Sequence, residues 1–256
     1  MRATNTEVPG VLALTRLSLI GKRAGYAAAG AVLVVGSTVG LTSHNTGSVT
    51  ATDDDGLTIT YPRQGYVGTT DNGLTYAPRP ATEFRAQNCD LSSQTPDNTP
   101  AAGQLTVPSI GVDVPVGISA NLSALPDAPQ TVRFDQSAPL GAGSGKTVIA
   151  GHVDYAPEDG HSTGQLSPFG QLHTAGPCDH IYAADAQGQQ REYVLTDMYT
   201  VPQEQIESTG IYTTEGNPAL VLVTCSGPSV NDASGDDLFA YRYNLILEAI
   251  PAEVAA

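Results

Sequence analysis

Three polar side chains interrupt apolar, strand-like runs. Cys225 follows Leu220-Val221-Leu222-Val223-Thr224, His152 follows Val148-Ile149-Ala150-Gly151, and Arg242 opens Tyr243-Asn244-Leu245-Ile246-Leu247. Each residue type can do chemistry. A thiol becomes a strong nucleophile only with a base or a cation nearby. An imidazole can take that proton and later return it. A guanidinium can steady a carbonyl or an oxyanion. Together they would make a site for cysteine-based acyl transfer. Each also has a plainer reading. A cysteine ending an apolar strand is usually a small buried hydrophobe. A histidine beside a glycine is often a turn or core residue. An arginine in a strand can be the ion-pair partner of one of the 26 acids.

These residues need rigid carriers. Val148–Asp154, Leu220–Cys225 and Tyr241–Leu247 read as strands, the second ending where Ser226-Gly227-Pro228 breaks it. Leu105–Val107 and Ile110–Val116 alternate apolar with polar or turn residues, Glu192–Asp197 alternates cleanly, and Cys178–Ala184 is a further strand-like run. Val201–Ile206 has helix formers, and Gly188 marks a hairpin-like turn. Many short strands at close spacing predict an all-β barrel or sandwich from about residue 103 to 256. Pro139–Thr147, PLGAGSGKT, invites a phosphate-loop reading but is one residue short of that pattern and runs into a strand rather than a helix. A tight glycine turn fits better.

The first hundred residues differ. Arg2, Arg16, Lys22 and Arg23 precede Ala24–Thr42, which carries no charge over 19 residues. That length crosses about 30 Å of hydrocarbon as a helix. The basic flank predicts residues 1–23 in the cytoplasm and the rest outside. A cleaved signal peptide is the alternative for this span. Residues 43–102, rich in Thr, Asn, Asp, Gly and Pro, predict a largely irregular spacer, although Cys89 also allows an arm packed on the domain. The net charge of −15 gives no footprint for nucleic acid.

Three cysteines in an exported chain leave one over after pairing. Cys89 and Cys178 sit in polar, loop-like contexts and form the candidate disulfide, with Cys225 free; three unpaired thiols is the other possibility. His44, His161, His173 and His180 compete with His152, and none has metal-ligand spacing with a cysteine. Asp154 is a candidate to orient His152.

Leu222-Val223-Thr224-Cys225 resembles the Leu-x-Thr-Cys signature of sortases, the membrane-anchored cysteine transpeptidases of Gram-positive bacteria. Ala150-Gly151-His152-Val153-Asp154 resembles their histidine motif, and Arg242 matches their arginine. Pro108–Val112 and Phe169–Leu172 are similar to the family's opening strand and the segment after its histidine loop. The His, Cys, Arg order, with about 70 residues and then 17 between them, is specific as a set. The form of the motifs looks most like the actinobacterial class E or F members. Phe134 stands where the family often has Trp, and Gly176-Pro177-Cys178-Asp179 replaces its usual Gly-Asp.

The resemblance implies an eight-stranded β-barrel with short helices, behind one transmembrane helix and a flexible spacer. It implies a single-pass membrane protein with its catalytic domain extracellular. Cys225 would attack the Thr-Gly bond of an LPXTG-like sorting signal, with His152 as acid and base, Arg242 on the carbonyl and Thr224 near the substrate. The partners would be surface proteins or pilins bearing the signal, and an amine from a cell-wall precursor or a pilin lysine. No cofactor or metal is implied. The alternative from another class is an extracellular binding or adhesion module on the same barrel. A papain-like hydrolase would carry its cysteine before its histidine, the reverse of this order.

Overall fold

The computed structural model describes residues 48–53, 56–62, 66–86, 88–89, 99–121, 125–155, 163–230 and 241–255. Five short strands come first: β1 (Ser48–Thr52), β2 (Thr58–Pro62), β3 (Gly68–Thr70), β4 (Thr75–Ala77) and β5 (Phe84–Arg85). Eight more follow: β6 (Gln104–Val107), β7 (Val112–Ser119), β8 (Thr131–Phe134), β9 (Lys146–Gly151), β10 (His180–Ala184), β11 (Gln190–Pro202), β12 (Ala219–Ser229) and β13 (Tyr241–Pro251). The last eight pair in the order β12-β13-β11-β10-β6-β7-β8-β9, and β9 returns to pair with β12, closing an eight-stranded barrel. Closure removes the edges that an open sheet would expose.

The pattern of β12 follows from its place. It pairs antiparallel with β13 on one side and parallel with β9 on the other. Leu220 and Leu222 point into the barrel with Leu245, Leu247, Leu105, Ile149, Ile181 and Leu195. Val221 and Val223 point outward, yet they too are buried, among Val148, Ala150, Ile246, Phe134 and Ile211. Ile206, from the 3-10 turn Gln203–Thr209, packs on this outer cluster. A strand covered on both faces reads as a continuous apolar run rather than an alternating one. Removing a leucine side chain from such a core costs about 2–5 kcal/mol. Phe169 and Leu172, from the 3-10 turn Phe169–Thr174, complete the inner cluster.

Two sequence expectations change here. The described part of the expected spacer carries five short strands among irregular segments. β1 to β4 form an antiparallel meander, and β4 then pairs with the end of β12, Ala77 to Gly227 and Tyr76 to Pro228. β5 pairs with β11, and a Cys89–Cys178 disulfide with Cα atoms 5.4 Å apart fastens the arm beyond it. These strands have only two to five residues each, too short for a clear period. They are held by pairing with the barrel, by Val67 and Ala77 packed with Val153, Leu166 and Tyr241, and by the Tyr76 hydroxyl donating to Asp53 at 3.0 Å. Second, the cysteine strand does not stop at Cys225. It runs on to Ser229 through a bulge at Gly227, because β4 supplies a pairing partner there. Gly227 has φ 77°, and a Cβ on it would lie 2.5 Å from the Tyr243 ring. Only glycine fits that bulge.

Smaller differences concern ends. β11 extends to Pro202, so the short helix expected over Val201–Ile206 begins at Gln203 and is a 3-10 helix to Thr209. The PLGAGSGKT segment is a turn entering β9, with Lys146 Nζ 2.7 Å from Glu248. The expected cytoplasmic segment 1–23, the Ala24–Thr42 span, His44 and His161 lie outside the described residues. Among the described residues no helix is long and apolar enough to cross a membrane.

Candidate functional site

Strand register brings the site together. On the parallel ladder Val148 pairs with Val221 and Ala150 with Val223. Two residues further along both strands stand His152 and Cys225. The Thr224 hydroxyl donates to the Gly151 carbonyl at 2.9 Å, so the strands are still side by side at that level. On the antiparallel ladder Cys225 pairs with Asn244, and Asn244 pairs with Val201 of β11. Directly paired residues share a face. Cys225, Asn244 and Val201 therefore form one row across the outer face of three strands, and His152 follows directly after the end of β9 beside them. Arg242, two residues before Asn244, shares their side of β13.

The rows beneath explain what kind of surface this is. The next contains Ala150, Val223, Ile246 and Tyr199, which is apolar apart from one hydroxyl. Below it come Val148, Val221, Glu248 and Asp197. Glu248 is satisfied by Lys146 at 2.7 Å and by the Tyr199 hydroxyl at 2.6 Å. The face thus has a polar reactive end, an apolar middle and an ion-paired far end.

The side chains of His152, Asn244 and Arg242 are uncommitted among the described residues, and the backbone beside them is fixed. The Ser167 hydroxyl donates to the His152 carbonyl. Neither the His152 ring nor the Arg242 guanidinium makes a hydrogen bond or ion pair among the described residues. Arg242 is exposed, so the ion-pair reading of a strand arginine has no support from the described acids. Its neighbour Tyr243 faces another cation, with the Arg79 guanidinium 4.8 Å from the ring centre.

Cys225 is the free cysteine, half-buried against Val67, Ala77, Val153, Leu166 and Tyr241. Two of those residues belong to the N-terminal arm. Burial pushes the thiol up to about 12, the Asp154 carboxylate adds to the rise, and the Tyr241 backbone N–H opposes it. The resting group is therefore the neutral thiol, which needs a base to react. Asp154 is buried and accepts the Tyr241 hydroxyl at 3.0 Å. That bond ties the histidine segment to the start of β13.

Thr224 is 3% exposed, and its register partner is Leu245, which belongs to the inner cluster. Its hydroxyl is spent on Gly151. That bond ties together the strands that lead to His152 and Cys225. The competing histidines go elsewhere. His173 Nδ1 meets the Gly170 carbonyl at 2.6 Å, and burial lowers its pKa. His180 meets Glu192 at 2.6 Å on β10. Among the described residues no group of three or more His, Cys, Asp or Glu side chains could hold a metal ion.

Sequence reasoning missed Asn244 and the Tyr241–Asp154 bond. Asn244 had a signal, an amide inside a run that is otherwise apolar and aromatic. Its partner across the sheet was not legible without the register.

The barrel thus carries one thiol, one imidazole and one guanidinium on neighbouring strands. The family model described as the sortase domain matches residues 105–249, more than half of the chain. The chain belongs to the sortase family. Solved structures similar to it include sortase C-1 from Actinomyces oris, 19% identical over 61% of this chain and 76% of that one, with a TM-score of 0.43. Sortase A from Corynebacterium diphtheriae is 19% identical over 60% of this chain and 62% of that one, also at 0.43. Sortase C1 from Streptococcus agalactiae is 18% identical over 63% and 72%, at 0.42. No curated protein matches the chain.

Proposed function

We propose that this sortase cleaves an LPXTG-like sorting signal at its Thr-Gly bond and passes the acyl group to an amine. Cys225 Sγ attacks the threonine carbonyl carbon. A C–S bond forms, the C–N bond breaks, and the thiol proton leaves on the glycine amine by way of His152. In the second half an incoming amine attacks the thioester. A C–N bond forms, the C–S bond breaks, and the amine's proton returns to sulfur through the same imidazole. Arg242 holds the carbonyl oxygen as it gains charge.

The observation that carries this reading is the juxtaposition of His152 and Cys225 on neighbouring strands, with Arg242 uncommitted beside them. Thr224 and Tyr241 serve as positioning residues through Gly151 and Asp154. Surface proteins or pilins would supply the signal, and a cell-wall precursor or a pilin lysine the amine. The motif forms favour an actinobacterial class E or F enzyme, held to the membrane by residues 24–42 with its barrel outside.

The test is a panel of sorting-signal peptides incubated with the full chain, with and without an added amine. Cleavage without amine and a new amide product with it are the expected results. Binding without cleavage by the native protein would favour the adhesion-module reading and refute this one.

A further inference from the structure

The row that holds the thiol contains a fourth polar side chain that the catalytic reading leaves unused. Asn244 is 8% exposed and stands directly opposite Cys225 in the β12–β13 ladder. Its other neighbour is Val201, and the positions below it on the same face of β13 are Ile246 and Glu248. Glu248 has Lys146 and Tyr199 as partners. The Asn244 carboxamide makes no hydrogen bond among the described residues, and its polar atoms are not among their buried unsatisfied groups, so the amide tip reaches solvent. It is thus open to a carbonyl bound beside the thiol.

We infer that Asn244 is a catalytic residue of the acylation step, donating a hydrogen bond from its carboxamide to the oxygen of the carbonyl that Cys225 attacks. Side chains of directly opposed residues start about 4.5–5.5 Å apart at Cβ. An amide one bond beyond its Cβ can reach an oxygen on the carbon that sulfur attacks. Arg242 lies two residues away on the same side, so the developing negative charge meets a neutral donor and a cation together. The neutral donor stands on a short side chain close to the strand, whereas the guanidinium ends a long exposed one. Preorganised donors of the first kind contribute most to stabilising an oxyanion.

This inference rests on the acyl-transfer reading, and the test separates the two. Asn244→Leu and Asn244→Asp are compared with the native chain in two reactions: acylation by an LPXTG-type peptide, and alkylation by iodoacetamide, which forms no oxyanion. Both variants remove the donor. The expected result is acylation slowed on the order of 10²-fold with alkylation unchanged, and thermal stability kept or raised in the leucine variant. Should Asn244→Leu fail to fold, Asn244→Asp is read the same way. Acylation at the native rate in a folded variant overturns the inference. So does an equal loss in both reactions, which would place Asn244 on the thiol or on the fold rather than on the oxyanion. A native chain that is alkylated but never acylated refutes the acyl-transfer reading, and this inference with it.

Discussion

Two polar rows lie on the same outer face of the barrel, and they are built in opposite ways. At one end Lys146, Glu248 and Tyr199 satisfy one another at 2.6–2.7 Å. At the other, His152, Cys225, Asn244 and Arg242 lie on neighbouring strands with no hydrogen bond or ion pair between their side chains. The ion-paired row behaves like structure, since its polar groups have what they need. The reactive row keeps its polar groups available and fixes them through the backbone instead, by Ser167 on the His152 carbonyl and by Thr224 on Gly151. The difference teaches where to look for chemistry on a strand: a partly buried polar side chain whose neighbours leave it unpaired.

The sharpest way to break that comparison is to remove the nucleophile. Cys225→Ala is expected to abolish cleavage of an LPXTG-type peptide, read by chromatography of the products. Residual cleavage at the native rate would move the chemistry elsewhere. His152→Ala is expected to lose on the order of 10²- to 10⁴-fold in kcat/KM. Arg242→Ala is expected to lose on the order of 10²- to 10³-fold while the melting temperature stays put, because the guanidinium is exposed and unpaired among the described residues. A fall in stability matching the fall in rate would make it structural.

How much of this was legible beforehand varies by region. The barrel strands were readable because each buries a face, and a buried face leaves a pattern. Cys225, His152 and Arg242 were readable because each is a polar residue at the boundary of such a pattern. The N-terminal arm was not. Its strands take their stability from pairing with β12 and β11, which are distant in sequence, so their composition resembles that of a spacer. The same cause hid the end of β12: Ser226-Gly227-Pro228 looks like a break, and β4 turns it into a bulged continuation. The direction of Thr224 was not legible, since a run buried on both sides carries no alternation to say which way a residue points. Asn244 gains its meaning only from the residue opposite.

The arm and the far row sharpen the comparison with smaller effects. Replacing both Cys89 and Cys178 with Ser opens a loop spanning 89 residues, worth about 4–5 kcal/mol in chain-entropy terms. Denaturant unfolding measures it, and an unchanged midpoint would mean that the arm is held by its strands alone. Glu248→Gln is expected to cost about 1–3 kcal/mol by leaving Lys146 without its charged partner, with kcat/KM unchanged. A large loss of activity there would erase the distinction between the two rows.

The smallest effect is the pH dependence of stability. Cys225 is raised in the folded chain to about 12 from an unfolded value near 9, so folding favours the neutral thiol. That contribution is complete below pH 9 and is lost as pH rises towards 12. Relative to the native chain, Cys225→Ala should show a shallower loss of stability over that window. Identical slopes would show that the thiol titrates normally in the fold.

Mass spectrometry of the chain trapped with an LPXTG-type peptide, without added amine, tests the acyl-enzyme most directly. The expected result is a mass increase equal to the N-terminal product, located on the peptide that contains Cys225 and absent from Cys225→Ala. Cleavage of the peptide with no adduct on Cys225, or an adduct on any other residue, would contradict it.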